Sequence, residues 1–114
     1  MRKPKDPREL AIAMLSRSTC SVGVGAVLAD NWGIHSWSHN HIGFDGLGCH
    51  AEKDCLRRAN RRRLADSTLY VAARRKRNGR TVNARPCSDC QQIIQKVGYV
   101  IYRDGDGVWQ RLTR

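Results

Sequence analysis

The segments His50-Ala51-Glu52 and Pro86-Cys87-Ser88-Asp89-Cys90 each predict the beginning of a helix, and the fold has to bring these two beginnings together. One imidazole and two thiols then become candidate zinc ligands: His50, Cys87 and Cys90. Three protein ligands leave the fourth position of a tetrahedral zinc ion open, whereas structural zinc sites normally use four. Glu52 is a candidate to move protons beside the metal without binding it.

The order His-x-Glu followed by Pro-Cys-x-x-Cys is the signature of the zinc-dependent nucleoside and nucleobase deaminases. The chain resembles the cytidine and deoxycytidylate deaminase superfamily over most of its length. Residues 21–28 resemble the first strand of that family, and residues 66–71 resemble the strand that leads to the cysteines. The histidine in the first motif is more similar to the deoxycytidylate, tRNA-adenosine and polynucleotide branches than to the small tetrameric cytidine deaminases.

This resemblance implies a hydrolase that acts on an amidine C–N bond, converting cytosine to uracil with Zn2+ as cofactor. It implies that hydroxide attacks the ring carbon bearing the amine, while Glu52 carries the protons. It also implies substrate contacts from Asn40, which precedes His50 by about ten residues, and from the backbone around Ala51. The expected fold is a three-layer α/β/α sandwich with a mixed sheet of about five strands and a basic hairpin insertion.

Positive charge is the strongest compositional signal, because the formal net charge is +11 over 114 residues. Such a charge favours a polyanionic partner, and we expect a nucleic acid or nucleotide substrate. A solvated basic surface without a partner is the alternative. The candidate nucleic-acid-binding residues are Arg57, Arg58, Arg61, Arg62, Arg74, Arg75, Lys76, Arg77 and Arg80.

The substrate stays open at this point. Cytosine in single-stranded DNA or RNA, a phosphorylated nucleotide such as dCMP, and a modified base or nucleoside all fit the motifs. Adenosine in tRNA is an alternative, as is a catalytically silent deaminase-like fold that binds nucleic acid, although the intact Glu52 disfavours the latter. Candidate stacking platforms are few: Trp32, Trp37, Phe44, Tyr102 and Trp109.

The length predicts a single domain over residues 1–114. Five cysteines without an apolar leader indicate a reducing, cytoplasmic environment. No apolar run is long enough to cross a bilayer, so no membrane partner is expected. The oligomeric state is open between a monomer and a homo-oligomer.

Local patterns predict the elements. Asp6-Pro7 predicts a helix over about 7–16, and the runs at 20–29 and 32–37 predict a hairpin. The second helix begins at His50 and carries small residues at Ala51, Cys55 and Ala59, with arginines on its remaining faces. A strand follows at 67–73, and Asn78-Gly79 predicts a tight two-residue turn in a basic arm. Further predictions are a third helix from Pro86, a strand over 99–102 and, over 108–112, a last short strand or a packed tail.

Other interpretations of the same residues remain. The Cys-x-x-Cys pair is also typical of redox sites. A four-ligand structural zinc would add Cys49 or Cys55, and a second metal site would use His35, His39 and His41. Gly23-x-Gly25 has the beginning of a nucleotide-binding loop, but Leu28 stands where the third glycine belongs.

Overall fold

The computed structural model describes residues 6–42, 48–49, 51–86 and 95–112. The predicted third helix therefore lies mostly outside the described residues. In chain order the elements are α1 (Pro7–Ala13), the 3-10 helix η1 (Met14–Arg17), β1 (Val22–Asp30), β2 (Gly33–His39), β3 (His41–Ile42), β4 (Gly48–Cys49), α2 (Ala51–Arg58), the 3-10 helix η2 (Arg61–Asp66), β5 (Thr68–Arg75), β6 (Thr81–Val82), β7 (Tyr99–Arg103) and β8 (Trp109–Arg111).

A six-stranded mixed sheet in the order β2-β1-β5-β7-β8, with β6 also paired to β5, forms the middle layer. The β5–β7 pair is parallel, and the other pairs of this sheet are antiparallel. Strand β6 lies beside the second half of β5, where Ala73 pairs with Val82. The mixed sheet is confirmed, and its sixth strand is the return strand of the basic arm.

Helix α1 covers one face of the sheet through a cluster formed by Ala11, Leu15, Val27 and Ala72. The Asp6 carboxylate accepts a hydrogen bond from the Arg8 amide at 2.9 Å and caps this helix. A Cβ atom at Gly25 would lie 2.2 Å from the Ala11 carbonyl oxygen, so only glycine permits this close approach. Gly25 is therefore a packing residue inside β1, and the nucleotide-loop interpretation is wrong.

Helix α2 covers the opposite face and completes the three layers. Ala51 and Cys55 are fully buried in one cluster with Ala26, Leu28 and Leu69. The prediction of a small-residue face is thus confirmed at these two positions. Small side chains let the helix backbone approach the sheet closely.

The second helix is shorter than its arginine-rich pattern indicates. Helix α2 ends at Arg58, and Arg61 and Arg62 belong to η2. Asn60 is extended, and its side-chain oxygen accepts a hydrogen bond from the Arg62 amide at 3.0 Å, which caps η2. An asparagine side chain that accepts from a neighbouring backbone amide in this way favours the start of a new helix over continuation of the preceding one.

The arm between β5 and β6 differs from the predicted tight turn. Arg74 pairs with Thr81, and the Arg75 amide donates to the Arg80 carbonyl, so residues 76–79 form the connection. A two-residue type I′ turn needs positive φ at both central residues. Gly79 has φ +69, but none of the described non-glycine residues has a positive φ. The side-chain oxygen of Asn78 instead accepts from the Arg80 amide at 3.0 Å.

The sheet has two ends with different neighbours. Pairing of Gly25 with His39 and of Val22 with Arg75 brings the beginning of β1 and the ends of β2 and β5 together, and we call this the site end. The far end holds the β1–β2 turn, Thr68 and Tyr99. None of the helices in the described part of the chain combines the length and apolarity needed to cross a membrane.

Candidate active site

The first turn of α2 carries a buried carboxylate. Ala51 is fully buried and Glu52 is 6 % exposed. None of the ion pairs found among the described residues involves Glu52. Burying a carboxylate is costly unless polar groups compensate, so a buried glutamate at a helix start indicates a functional position more than a packing one.

Two serines of β2 fix the position of this helix. The Ser38 hydroxyl donates a short hydrogen bond to the Asp54 carboxylate, and the Ser36 hydroxyl donates to the Cys55 carbonyl at 2.7 Å. Because Ser38 lies next to the end of β2 and Asp54 lies in the first turn of α2, the helix begins at the site end. Glu52 is thereby held at that end of the sheet.

Asp54 is a buried acid that stays ionised. Burial alone would raise its pKa, but the Ser38 hydroxyl and the Arg57 guanidinium lower it, and the net shift is downward. Arg57 forms an ion pair with Asp54 at 2.6 Å, and Arg58 approaches the same carboxylate at 3.7 Å. A charged, hydrogen-bonded Asp54 therefore ties α2 to β2.

Asn40 lies directly after β2, at the site end. Its side-chain oxygen accepts from the Val24 amide at 2.9 Å and from the Ser18 hydroxyl, and its amide nitrogen donates to the Val22 carbonyl at 2.9 Å. The Asn40 backbone amide donates to the Val24 carbonyl at 3.0 Å. The residue predicted to contact substrate thus also joins the end of β2 to the beginning of β1.

The basic arm is anchored beside Asn40. The Lys76 amide donates to the Ser21 carbonyl at 2.9 Å, and the Lys76 ammonium donates to the Ser18 carbonyl. Ser18 therefore bonds to Asn40 through its hydroxyl and to Lys76 through its carbonyl. Arg75, Arg77 and Arg80 are exposed on this arm, which places their charges at the site end.

The predicted nucleic-acid-binding residues fall into two groups. Arg74, Arg75, Lys76, Arg77 and Arg80 lie at the site end, as described above. Arg57, Arg58, Arg61 and Arg62 follow one another along the end of α2 and the start of η2, which lead to the far end. The Arg63 guanidinium ties η2 to the end of β1 through two hydrogen bonds of 2.6 Å to Asp30.

The predicted zinc ligands His50, Cys87 and Cys90 lie outside the described residues. Cys55 is described, and its side chain is fully buried in the α2-side core cluster. The Cys55 sulfur lies 3.6 Å from the Ser36 hydroxyl. This position is packed as a small core residue, so it does not supply the fourth ligand of a structural zinc site.

The three histidines of β2 and β3 do not assemble a second metal site. Within the described ranges, no group of three or more histidine, cysteine, aspartate or glutamate side chains is arranged to hold a metal ion. His35 Nε2 lies 2.7 Å from the Ser67 hydroxyl, and the His39 and His41 rings meet edge to face with centroids 6.0 Å apart. The first contact joins β2 to the residue that follows η2, and the second joins β2 to β3.

The candidate stacking residues are distributed unevenly. Tyr102 packs against the α2-side core, and Trp109 meets Tyr70 edge to face in the α1-side cluster. Trp32 is 91 % exposed and Trp37 is 43 % exposed. Phe44 lies outside the described residues. The most exposed candidate, Trp32, lies at the far end.

The architecture is that of known cytidine deaminases. The cytidine deaminase from Burkholderia pseudomallei has a TM-score of 0.70 at 18 % identity, covering 94 % of this chain and 89 % of that chain. Cytidine deaminase from Mycobacterium leprae has a TM-score of 0.60 at 19 % identity, with coverage of 91 % and 88 %. The enzyme from Mycobacterium tuberculosis gives 0.59 at 18 %, with coverage of 91 % and 85 %. At these identities the likeness establishes the fold.

Family membership follows from the sequence match. The model of the cytidine and deoxycytidylate deaminase zinc-binding region matches residues 1–103, and the chain belongs to this family. It is accordingly a zinc-dependent hydrolytic deaminase for cytidine-type substrates. A search among curated protein sequences found no match.

The residues present fit the zinc that this family binds. One imidazole and two thiolates form a donor set that zinc accepts readily. Ala84, shortly before Cys87, belongs to the same buried cluster as Ala51, which follows His50. The Ala84 amide also donates to the Arg103 carbonyl at 2.8 Å, at the end of β7 that lies at the site end. Ala51 and Ala84, which flank the two motifs, therefore pack into the same core cluster.

Several supporting residues were not identified from the sequence. Ser18, Ser36, Ser38 and Asp54 make the contacts that fix Asn40 and α2, yet each partner is distant in the sequence. One pattern in the sequence could have indicated these contacts. Ser36 and Ser38 alternate onto one face of β2, and the helix packed on that face has an acidic residue in its first turn.

Proposed function

We propose that this protein deaminates cytosine to uracil in single-stranded nucleic acid, with a phosphorylated nucleotide such as dCMP as its small substrate. The observation that carries the proposal is the position of the basic arm beside Asn40, through their shared contacts with Ser18. A free nucleoside carries no phosphate and gains nothing from the exposed cations of this arm, whereas phosphate groups do. Cytosine as the base is supported by the similar solved structures, which are cytidine deaminases.

We assign the zinc ligands to His50, Cys87 and Cys90, and the proton transfers to Glu52. When bound, zinc lowers the pKa of water toward neutrality, which supplies a nucleophile for the ring carbon. Glu52 takes a proton from the attacking water, delivers it to the ring nitrogen and then assists the departure of ammonia. One water is consumed, the C–N bond breaks and a carbonyl forms. Burial keeps Glu52 apart from competing bulk water.

Substrate positioning is assigned to Asn40 and the backbone around Ala51. The hydrogen bonds of Asn40 to β1 fix its orientation before substrate binds, which reduces the entropy lost on binding. The Asp54–Ser38 contact holds the first turn of α2 for the same purpose.

The test is a substrate panel assayed for ammonia and uracil: cytidine, dCMP, cytosine-containing single-stranded DNA and RNA, adenosine and tRNA. We expect kcat/KM to be highest for single strands at low salt. A variant with Arg75→Ser and Arg77→Ser should lose much more activity on single strands than on cytidine. In a binding assay with the same single strands, the slope of the log association constant against log salt concentration should fall in magnitude by roughly one for each lost phosphate contact.

A matched control carries Arg8→Ser and Arg17→Ser, which remove exposed cations from the α1 layer. If the control and the arm variant lose the same activity, the arm has no particular role. Preference for unphosphorylated cytidine over all other substrates would contradict the proposal, as would preference for adenosine in tRNA.

A further inference from the structure

A cation-lined groove lies between α2 and η2, away from the arm. Its volume is about 670 Å³, and its apolar floor includes Leu56 and Leu64. No carboxylate is among the described residues that line it. The cations that line it are Lys53, Arg57, Arg61 and Lys96. Arg57 is partly neutralised by the buried Asp54, but the groove remains strongly positive and is suited to phosphate groups.

A second groove of about 600 Å³ lies beside η2 and shares Ala65 with the first groove. It contains two exposed aromatic rings, Trp32 at 91 % and Tyr99 at 51 % exposure. The Arg111 guanidinium lies over the Tyr99 ring at 4.4 Å. The formal charges of this groove balance, because its lining contains two arginines, Arg62 and Arg63, and two aspartates, Asp30 and Asp66. It is therefore suited to uncharged, planar groups more than to phosphates.

A positive groove beside exposed aromatic rings is the combination that binds single-stranded nucleic acid, through phosphate contacts and base stacking together. A lone phosphate would use the first groove only, and a duplex would keep its bases away from the second. Trp32 supports this choice further, because an indole this exposed contributes little to the packing of the fold.

We propose that the η2 ridge, defined as η2 with its two flanking grooves, is a second anchoring site for single-stranded nucleic acid. Its η2 side lies toward the far end of the sheet, whereas Glu52 and Asn40 lie at the site end, and Lys53 extends the first groove to the first turn of α2. The proposal rests on the proposed function for its biological meaning, since an anchor away from the catalytic end holds the same strand whose base is processed. Phosphates bind beside Arg61 and Lys96, and a base stacks on Trp32.

The experiment measures binding of a fluorescein-labelled 20-nucleotide oligo(dT) by anisotropy, over a range of salt concentrations. This probe contains no cytosine, so binding is measured independently of deamination. A variant with Arg61→Ser and Lys96→Ser should lower the slope of log K against log salt by roughly two. Trp32→Ala should weaken binding by roughly tenfold, with little change in the slope. The exposure of these side chains makes folded variants expected.

The Arg8→Ser and Arg17→Ser variant again removes two exposed cations, from the other face of the sheet. Equal slopes for this control and for the Arg61/Lys96 variant would overturn the proposal, because the effect would then belong to net charge. Binding that is insensitive to Trp32→Ala, or a duplex that binds as tightly as oligo(dT), would also overturn it. Failure of the proposed function looks different: oligo(dT) binding stays dependent on the ridge while cytosine-containing strands are not deaminated.

Discussion

The two ends of the sheet are both rich in arginine, but they use the charge differently. At the site end, the exposed cations lie on an arm whose base is tied by backbone and lysine contacts to Ser18 and Ser21. This base lies beside a partly buried polar network around Asn40. At the far end, Arg63 is bound to Asp30, and the exposed rings of Trp32 and Tyr99 lie beside it. The two arginine-rich ends therefore differ in structure: hydrogen bonds tie the arm to the Asn40 network at the site end, whereas an ion pair and two exposed rings lie beside η2 at the far end.

Among the predictions that distinguish the two ends, the largest effect is the loss of kcat on substitution of Glu52. Glu52→Gln should reduce kcat by about 10²- to 10⁴-fold, because the amide cannot carry the protons, and should leave the zinc content unchanged. Activity assays and elemental analysis of the same preparation measure both quantities. Loss of zinc would make Glu52 a ligand, and unchanged turnover would remove it from the mechanism.

Cys87→Ser is the companion variant, because it removes a proposed ligand. It should lose both zinc and activity, whereas the parent protein, purified without added metal, should hold about one zinc ion per chain. A folded, active and metal-free Cys87→Ser protein would contradict the ligand assignment.

An intermediate effect is expected at Asn40, where Asn40→Ala leaves backbone groups of Val22 and Val24 without their side-chain partner. Loss of these partly buried hydrogen bonds should lower the free energy of unfolding by about 1–3 kcal/mol. Urea denaturation measures it, and Asn31→Ala in the exposed far-end turn is the control, with an expected change within about 0.5 kcal/mol. Equal decreases in the free energy of unfolding for the two variants would contradict the prediction that the Asn40 hydrogen bonds stabilise the site end.

The smallest effect concerns pH at the far end. Burial lowers the pKa of His35 below its ordinary 6.5, Arg63 lowers it further and Asp30 opposes the shift. The unfolded chain therefore binds more protons, so this contribution to stability is present above about pH 6.5 and is lost as the pH falls below it. The free energy of unfolding should decline from pH 7 to pH 5, and less so in His35→Gln. An equal decline in both proteins would assign the pH dependence to other groups.

Much of the fold was predictable because its signals are local. Asp6-Pro7 marks the start of α1, the β-like runs at 20–29 and 32–37 mark β1 and β2, and both assignments are confirmed. The arm turn was wrong because Asn-Gly pairs favour, but do not force, positive φ at both residues. The end of α2 was missed because the Asn60 side chain competes with the helix for a backbone amide.

The site was predictable only in part. Its spacing from His50 makes Glu52 a candidate, and the structure buries this residue at the start of α2, while its role in proton transfer stays a prediction. Asp54 and Ser38 were not identified, because their hydrogen bond joins residues that become neighbours only after β2 and α2 pack together. Charge counts likewise could not divide the arginines between the two ends, since that division depends on the strand register and on the end of α2.

The accessibility of the Cys55 thiol can be used to measure local opening between α2 and the sheet. Its thiol is fully buried between α2 and the sheet, and its pKa is raised to about 12, so a thiol-alkylating reagent meets neither an accessible sulfur nor a reactive thiolate. Alkylation has to wait until α2 separates from the sheet. The rate of alkylation of the Cys55 sulfur therefore reports how often α2, which carries Glu52, separates from the sheet. The measurement needs no substitution in the chain.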